Sequence, residues 1–127
     1  DTRELLQALT QEDNRFRVTF GVENRGIAGN TNAALTMATG KFVALCDHDD
    51  LLAPDAVRCI LEAAQDGADF VYTDEDKVSA DGMHFFEPHL KPDFAPDSLR
   101  SGNYICHITA DERGRRTSPR LRWLARP

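Results

Sequence analysis

The spacing of apolar positions in residues 2–73 predicts helices and strands in alternation. Leu5, Leu6 and Leu9 recur at helical spacing among polar residues, which indicates an amphipathic helix. Residues 42–46 form an uninterrupted apolar run of strand length, which is typical of a strand covered on both faces. The predicted elements are a helix at 2–12, a strand at 16–20, a helix around 33–38, a strand at 42–46, a helix from Pro54 to Gly67 and a strand at 69–73. This order predicts an α/β fold with a mostly parallel sheet.

The hydrophobic pattern weakens after Thr73. Asp81 and Gly82 indicate a turn, and three prolines between residues 88 and 96 disfavour regular structure there. One more strand is expected at 103–109. Hydrophobic periodicity disappears from residue 111 onward. The sequence therefore predicts a folded region at 1–110 and an irregular basic tail at 111–127.

Composition narrows the class of protein. The chain has 127 residues and a net charge of -6, with -10 on residues 1–110 and +4 on residues 111–127. An acidic body argues against direct binding of nucleic acid, which needs a basic surface. No apolar run is long enough to span a membrane, and no secretion signal is visible. The three cysteines include no CxxC pair, which favours reduced thiols and a cytoplasmic location over structural zinc.

Three carboxylates follow the predicted strand at 42–46, and we call Asp47, Asp49 and Asp50 the first acidic cluster. In open α/β sheets, ligands bind beyond the carboxyl ends of the strands. Clustered carboxylates there can hold Mg²⁺ or Mn²⁺ and so offset the charge of a diphosphate. The simpler alternative is a chance acidic loop in which Asp49 or Asp50 caps the next helix. The spacing by itself leaves both interpretations open.

Asp74, Glu75 and Asp76 form the second acidic cluster, at the end of the predicted strand 69–73. It is a candidate for the acceptor side of a reaction or for its catalytic base. The alternative is a solvated turn whose charge is screened by Lys77. The glycine- and asparagine-rich residues 24–32 are a turn with a helix cap or a nucleotide-binding loop, and they lack the GxGxxG fingerprint.

Six segments taken together resemble the family 2 glycosyltransferases, in particular a bacterial subgroup that builds surface polysaccharides and includes rhamnosyltransferase-like proteins. The segments are 23–32 (ENRGIAGNTN), 38–45 (ATGKFVAL), 47–55 (DHDDLLAPD), 72–77 (YTDEDK), 91–97 (KPDFAPD) and 103–107 (NYICH). The resemblance covers about residues 15–109. Six motifs in order are far more specific than a single Asp-x-Asp.

The resemblance implies a Rossmann-like, type A nucleotide-sugar-binding fold and inverting transfer of a sugar from a UDP- or dTDP-linked donor to a glycan hydroxyl. It implies that Asn24, Asn32, Asp47 and Asp49 bind the nucleotide sugar. Mn²⁺ or Mg²⁺ would be bound by Asp49, with Asp47 and Asp50 beside it. Thr31 stands where some relatives have an arginine, which puts a basic contact to the nucleotide in doubt.

Both ends depart from the family pattern. The first strand with its acidic loop and the base motif beyond 103–107 have no counterpart, so the chain is expected to be incomplete at both ends. By itself it is then expected to be inactive or weakly active and prone to self-association. The alternatives are a non-catalytic fragment that binds a cation or nucleotide, and a sugar nucleotidylyltransferase-like enzyme. The parent protein is expected in the cytoplasm, with an association to the inner face of the membrane left open.

Overall fold

The computed structural model describes residues 1–114 and the backbone of 121–124. The chain divides into two compact units, Asp1–Thr39 and Gly40–Pro127. None of the described helices is long and apolar enough to cross a membrane.

The first unit contains two helices, α1 (Thr2–Glu12) and α2 (Gly26–Leu35). The prediction of a helix at 2–12 is confirmed, and α1 begins with a capping box in which Asp1 accepts from the Glu4 N–H. The predicted strand at 16–20 is wrong, because those residues are irregular. Alternation of apolar and polar residues forms a strand only where a ladder partner exists, and the described part of this unit has no second strand.

The second unit contains a four-stranded sheet in the order β1-β5-β2-β6. Its strands are β1 (Phe42–Leu45), β2 (Phe70–Thr73), β5 (Thr109–Glu112) and β6 (Leu121–Leu124). Strand β5 lies antiparallel between β1 and β2, and β6 pairs parallel to β2. The prediction of an α/β fold is confirmed, whereas the mostly parallel pairing is not, because β5 separates β1 from β2.

Strands β1 and β2 nevertheless run in the same direction, because both are antiparallel to β5. Thr109 of β5 pairs with Leu45 at the end of β1 and with Tyr72 near the end of β2. The carboxyl ends of both strands therefore lie at one edge of the sheet, and the two acidic clusters follow at that edge.

Helix α3 (Ala56–Gln65) buries Ile60 and Ala63. They form a small core with residues of β2, β5 and the loops before them: Ala68, Val71, Ile108 and Ala110. The helix ends at Gln65, two residues before the predicted end at Gly67. Gly67 follows with a φ of 90°, which suits a glycine, and the Ala68 N–H donates back to the Ala63 carbonyl.

A separate hairpin consists of β3 (Glu75–Val78) and β4 (Phe85–His89), which are antiparallel. The predicted turn at Asp81 and Gly82 joins them, and Gly82 has a φ of 74°. A short helix, α4 (Pro96–Ser101), follows the hairpin.

Two predictions near the C-terminus need correction. The expected strand at 103–109 begins only at Thr109 and extends to Glu112, because the backbone of residues 105–107 bonds to side chains and not to a ladder. The tail expected to be irregular contributes the end of β5 and all of β6, which pairs with β2. A strand at the edge of an existing sheet needs little hydrophobic periodicity, because the partner's backbone supplies its bonds. Residues 115–120 and 125–127 of the predicted tail lie outside the described residues.

Candidate functional site

The first acidic cluster lies on an exposed loop directly after β1. A turn closes the loop, in which the Asp50 N–H donates to the Asp47 carbonyl at 3.2 Å. All three side chains are exposed, and Asp47 keeps 66% of its side-chain surface. Among the described residues, the Asp49 side chain forms no hydrogen bond or ion pair. The cluster is therefore accessible to a ligand from solvent.

His107, in the loop just before β5, contacts the first acidic cluster at the same edge of the sheet. Its Nδ1 lies 2.9 Å from Asp50 Oδ2, and its Nε2 lies 3.6 Å from Asp47 Oδ2. Asp47 and His107 line an open cleft of about 440 Å³ together with Asn103 and Cys106. The other lining residues come from the end of β1 (Leu45), the start of β2 (Phe70), the loop before β5 (Ile105) and β5 itself (Thr109).

In the second acidic cluster, Asp74 and Glu75 form hydrogen bonds within the protein. Asp74 is only 8% exposed, and its Oδ1 accepts from the Lys91 N–H at 2.7 Å. Glu75 accepts from Lys91 Nζ at 2.9 Å, and its side chain retains 31% of its surface. Asp76 is half-buried on β3. The cluster is thus not the solvated turn of the simpler interpretation.

Lys91 is the most unusual residue of this region because its charged end is fully buried. The residue is 2% exposed and its side chain 0%. Besides Glu75, its ammonium donates to the carbonyl oxygens of Ile105 and of His107, the latter at 2.7 Å. A buried ammonium is tolerated only when all of its protons have acceptors and a countercharge is near, and these three partners provide both.

One carboxyl group and one thiol group of this region, those of Glu75 and Cys46, have shifted pKa values. Partial burial acts to raise the pKa of Glu75, but hydrogen bonds from Lys91, His89 and the His107 N–H outweigh it and lower the pKa. Burial, aided by the charges of Asp50 and Asp47, raises the pKa of the Cys46 thiol. Glu75 is therefore stabilised as a carboxylate, and Cys46 as a neutral thiol.

Asn24 and Asn32, expected to line the nucleotide pocket, lie in the first unit and are exposed. Asn24 Oδ1 accepts from the Gly26 N–H at 2.8 Å, which forms a turn just before α2, whereas the N-cap residue of this helix is Arg25 and no side chain caps it. Asn24 also lines a cleft of about 670 Å³ within this unit, with Arg3 and Arg25 among its neighbours. Asn32 lies on α2 and is not among the residues lining that cleft. The role of both residues stays a prediction.

The first acidic cluster offers the donor atoms that Mg²⁺ and Mn²⁺ prefer, since its three side chains are carboxylates. In the described part of the chain, however, no three side chains of histidine, cysteine, aspartate or glutamate are already arranged to hold a metal ion. Asp47 and Asp50 face His107, whereas Asp49 contacts no partner among the described residues. The donor chemistry fits a divalent cation, and the side chains would have to converge on it.

His107 and Lys91 have roles that sequence reasoning missed. Both residues belong to segments of the family resemblance, His107 to 103–107 and Lys91 to 91–97, but the sequence marks neither as a candidate site residue. Their partners lie 14 to 60 residues away in the chain. Local spacing does not predict such contacts. The one indication in the sequence is that both residues lie within segments that resemble the family.

Comparison with known proteins agrees with the motifs. Residues 1–118 match the family model described as "Glycosyl transferase family 2". The chain is 39% identical over 106 residues to "Uncharacterized protein y4gI" of Sinorhizobium fredii, covering 82% of the chain and 12% of that protein. It is 34% identical to "O-antigen biosynthesis protein RfbC" of Myxococcus xanthus, covering 82% of the chain and 8% of that protein. It is 32% identical to "Chondroitin synthase" of Pasteurella multocida, covering 85% of the chain and 11% of that protein.

The chain thus spans only about a tenth of the length of these relatives. No solved structure matches it.

Proposed function

Because this chain belongs to glycosyl transferase family 2, we propose that it binds a nucleotide-diphosphate sugar and serves the transfer of that sugar to a hydroxyl of a glycan acceptor. The family implies a type A glycosyltransferase fold and generally uses divalent cations. Relatives named for O-antigen and chondroitin synthesis support a role in making a surface polysaccharide. We place this reaction in the cytoplasm, because the cysteine pattern favours reduced thiols.

The open first acidic cluster is the observation that supports the proposal most. It lies at the carboxyl edge of the sheet, where α/β proteins bind ligands, and Asp49 has no described partner that a ligand would have to displace. We propose that Asp49 holds Mn²⁺ or Mg²⁺, with Asp47 and Asp50 beside it. The cation would neutralise the donor diphosphate and the charge on it as it leaves.

We propose that the transfer inverts the anomeric carbon, with a UDP- or dTDP-linked sugar as the donor. The acceptor oxygen forms a bond to that carbon, the bond to the diphosphate breaks, and its electron pair leaves with the diphosphate. A base must take the acceptor's proton. The second acidic cluster lies at the same edge, and we propose that it serves the acceptor side or supplies this base.

Calorimetry on the 127-residue chain tests the donor site. UDP and dTDP should bind more tightly with Mn²⁺ than without it, and Asp49→Asn should weaken the Mn²⁺-dependent binding about 10-fold or more by removing a charged ligand. Asp97→Asn, at a 92% exposed side chain on α4, is the matched control and should bind as the wild type does. Equal Mn²⁺-dependent binding in the wild type and in Asp49→Asn would refute the assignment of the metal.

A second assay separates binding from transfer. The wild-type chain is incubated with UDP- and dTDP-sugars and a mixed pool of glycan acceptors, and release of nucleoside diphosphate is measured. Acceptor-dependent release that needs Mn²⁺ supports transfer by this chain. Binding without release would leave the chain as a donor-binding part and place the catalytic base elsewhere.

A further inference from the structure

The loop before β5 is held by side chains in place of a strand partner. Residues 105–107 precede β5, and two of their carbonyl groups, those of Ile105 and His107, accept from Lys91 Nζ. The Ile105 N–H donates to Asn103 Oδ1 at 3.1 Å. Backbone groups that lack a ladder must be paired in another way, and a single buried ammonium satisfies two of them.

Glu75 completes this arrangement from the other side. One of its oxygens, Oε2, accepts both from Lys91 Nζ at 2.9 Å and from the His107 N–H at 3.1 Å. His107 is therefore held at its N–H by Glu75 and at its carbonyl by Lys91. With both backbone groups bound, the direction in which its side chain leaves the backbone is restricted.

The imidazole of His107 points to the first acidic cluster, at 2.9 Å from Asp50 and 3.6 Å from Asp47. We propose that Lys91 is a positioning residue, which together with Glu75 fixes His107 against the first acidic cluster and so sets the shape of the donor site. This inference rests on the proposed function for the identity of the site, whereas the contacts themselves are independent of it. Side chains that orient a site through its neighbours commonly change affinity or activity 10- to 100-fold when replaced.

Nuclear magnetic resonance of the 127-residue chain tests the positioning without any ligand. Lys91→Met keeps an unbranched side chain and removes the charge, and Glu75→Gln keeps the shape of the carboxylate and removes its charge. Both should shift the backbone amide signal and the imidazole ring signals of His107. Lys77→Met is the matched control, because Lys77 is 65% exposed and lies on β3 with Glu75. It should leave the His107 signals unchanged. His107 signals that stay at their wild-type positions in Lys91→Met or, if that variant does not fold, in Glu75→Gln overturn the proposal.

A double-mutant cycle separates positioning from general stability. In the presence of Mn²⁺, Lys91→Met and His107→Gln should each weaken UDP binding about 10-fold. The double variant should bind no more weakly than His107→Gln alone, because Lys91 acts through His107. If the two losses multiply, Lys91 has a structural role only and the proposal fails. If the wild type binds neither UDP nor dTDP, the proposed function is refuted, and the spectra alone decide whether Lys91 positions His107.

Discussion

The two acidic clusters have similar sequences and opposite surroundings. Each follows a strand of the same sheet, and the two strands end at the same edge. Yet Asp47 keeps 66% of its side-chain surface, whereas Asp74 is 8% exposed and Glu75 binds a fully buried lysine. A run of carboxylates therefore does not by itself identify a ligand site. The presence of an internal cation decides whether the carboxylates serve the fold or remain free for a ligand.

The largest effect is expected from removing that cation. Lys91→Met removes the ammonium donor that the Glu75 carboxylate and two carbonyl groups share. Breaking a buried pair costs about 3–5 kcal/mol, and the partial exposure of Glu75 favours the lower end, about 3 kcal/mol. Urea unfolding followed by circular dichroism measures the change. A loss below about 1 kcal/mol would show that the second cluster does not depend on Lys91.

Removing one carboxylate from each cluster sharpens the contrast. Asp74→Ala takes away the buried acceptor of the Lys91 N–H and should lower the free energy of unfolding by about 2 kcal/mol. Asp47→Ala, at an exposed position, should change it by less than about 0.5 kcal/mol. The same urea experiment compares the two variants. Similar losses in both would contradict the division into an internal and an open cluster.

The lowered pKa of Glu75 predicts how stability depends on pH. Its folded-state pKa lies below its ordinary value of 4.5, so the unfolded chain takes up the proton first as the pH falls. The stabilisation from the Glu75 carboxylate is therefore fully present above about pH 4.5 and is lost as the pH falls through the folded-state value. The difference in unfolding free energy between the wild type and Glu75→Gln should shrink on acidification from pH 6 to pH 3. A difference that stays constant with pH would show that the charge of Glu75 does not stabilise the folded protein.

The smallest effect is expected at the exposed ion pair on the hairpin. Lys77 and Glu87 form an ion pair with side-chain exposures of 65% and 66%. Exposed pairs of this kind contribute about 0–1 kcal/mol, so Lys77→Met should cost at most about 0.5 kcal/mol. Comparison with Lys91→Met in the same urea series isolates the contribution of burial, because the chemical change is identical.

Strong local patterns predicted much of the fold. The helix at 2–12, the strand at 42–45 and the helix ending before Gly67 follow from periodicity and end signals. The alternation at 16–20 failed because a strand also needs a partner. The pairing of β5 between β1 and β2, and of β6 beside β2, joins residues that are 37 to 70 positions apart, and no local pattern encodes such pairs.

The sequence by itself determined the family motifs, the position of the first acidic cluster after a strand and the common direction of β1 and β2. The reason is that these depend on short-range spacing and on the order of elements. Only the tertiary structure decided which carboxylates are free. Burial of Lys91 beside Glu75, and the approach of His107 to Asp50, result from the packing of segments distant in the chain. Charge can be read from composition, but its solvation and its partners depend on what lies next to it in space.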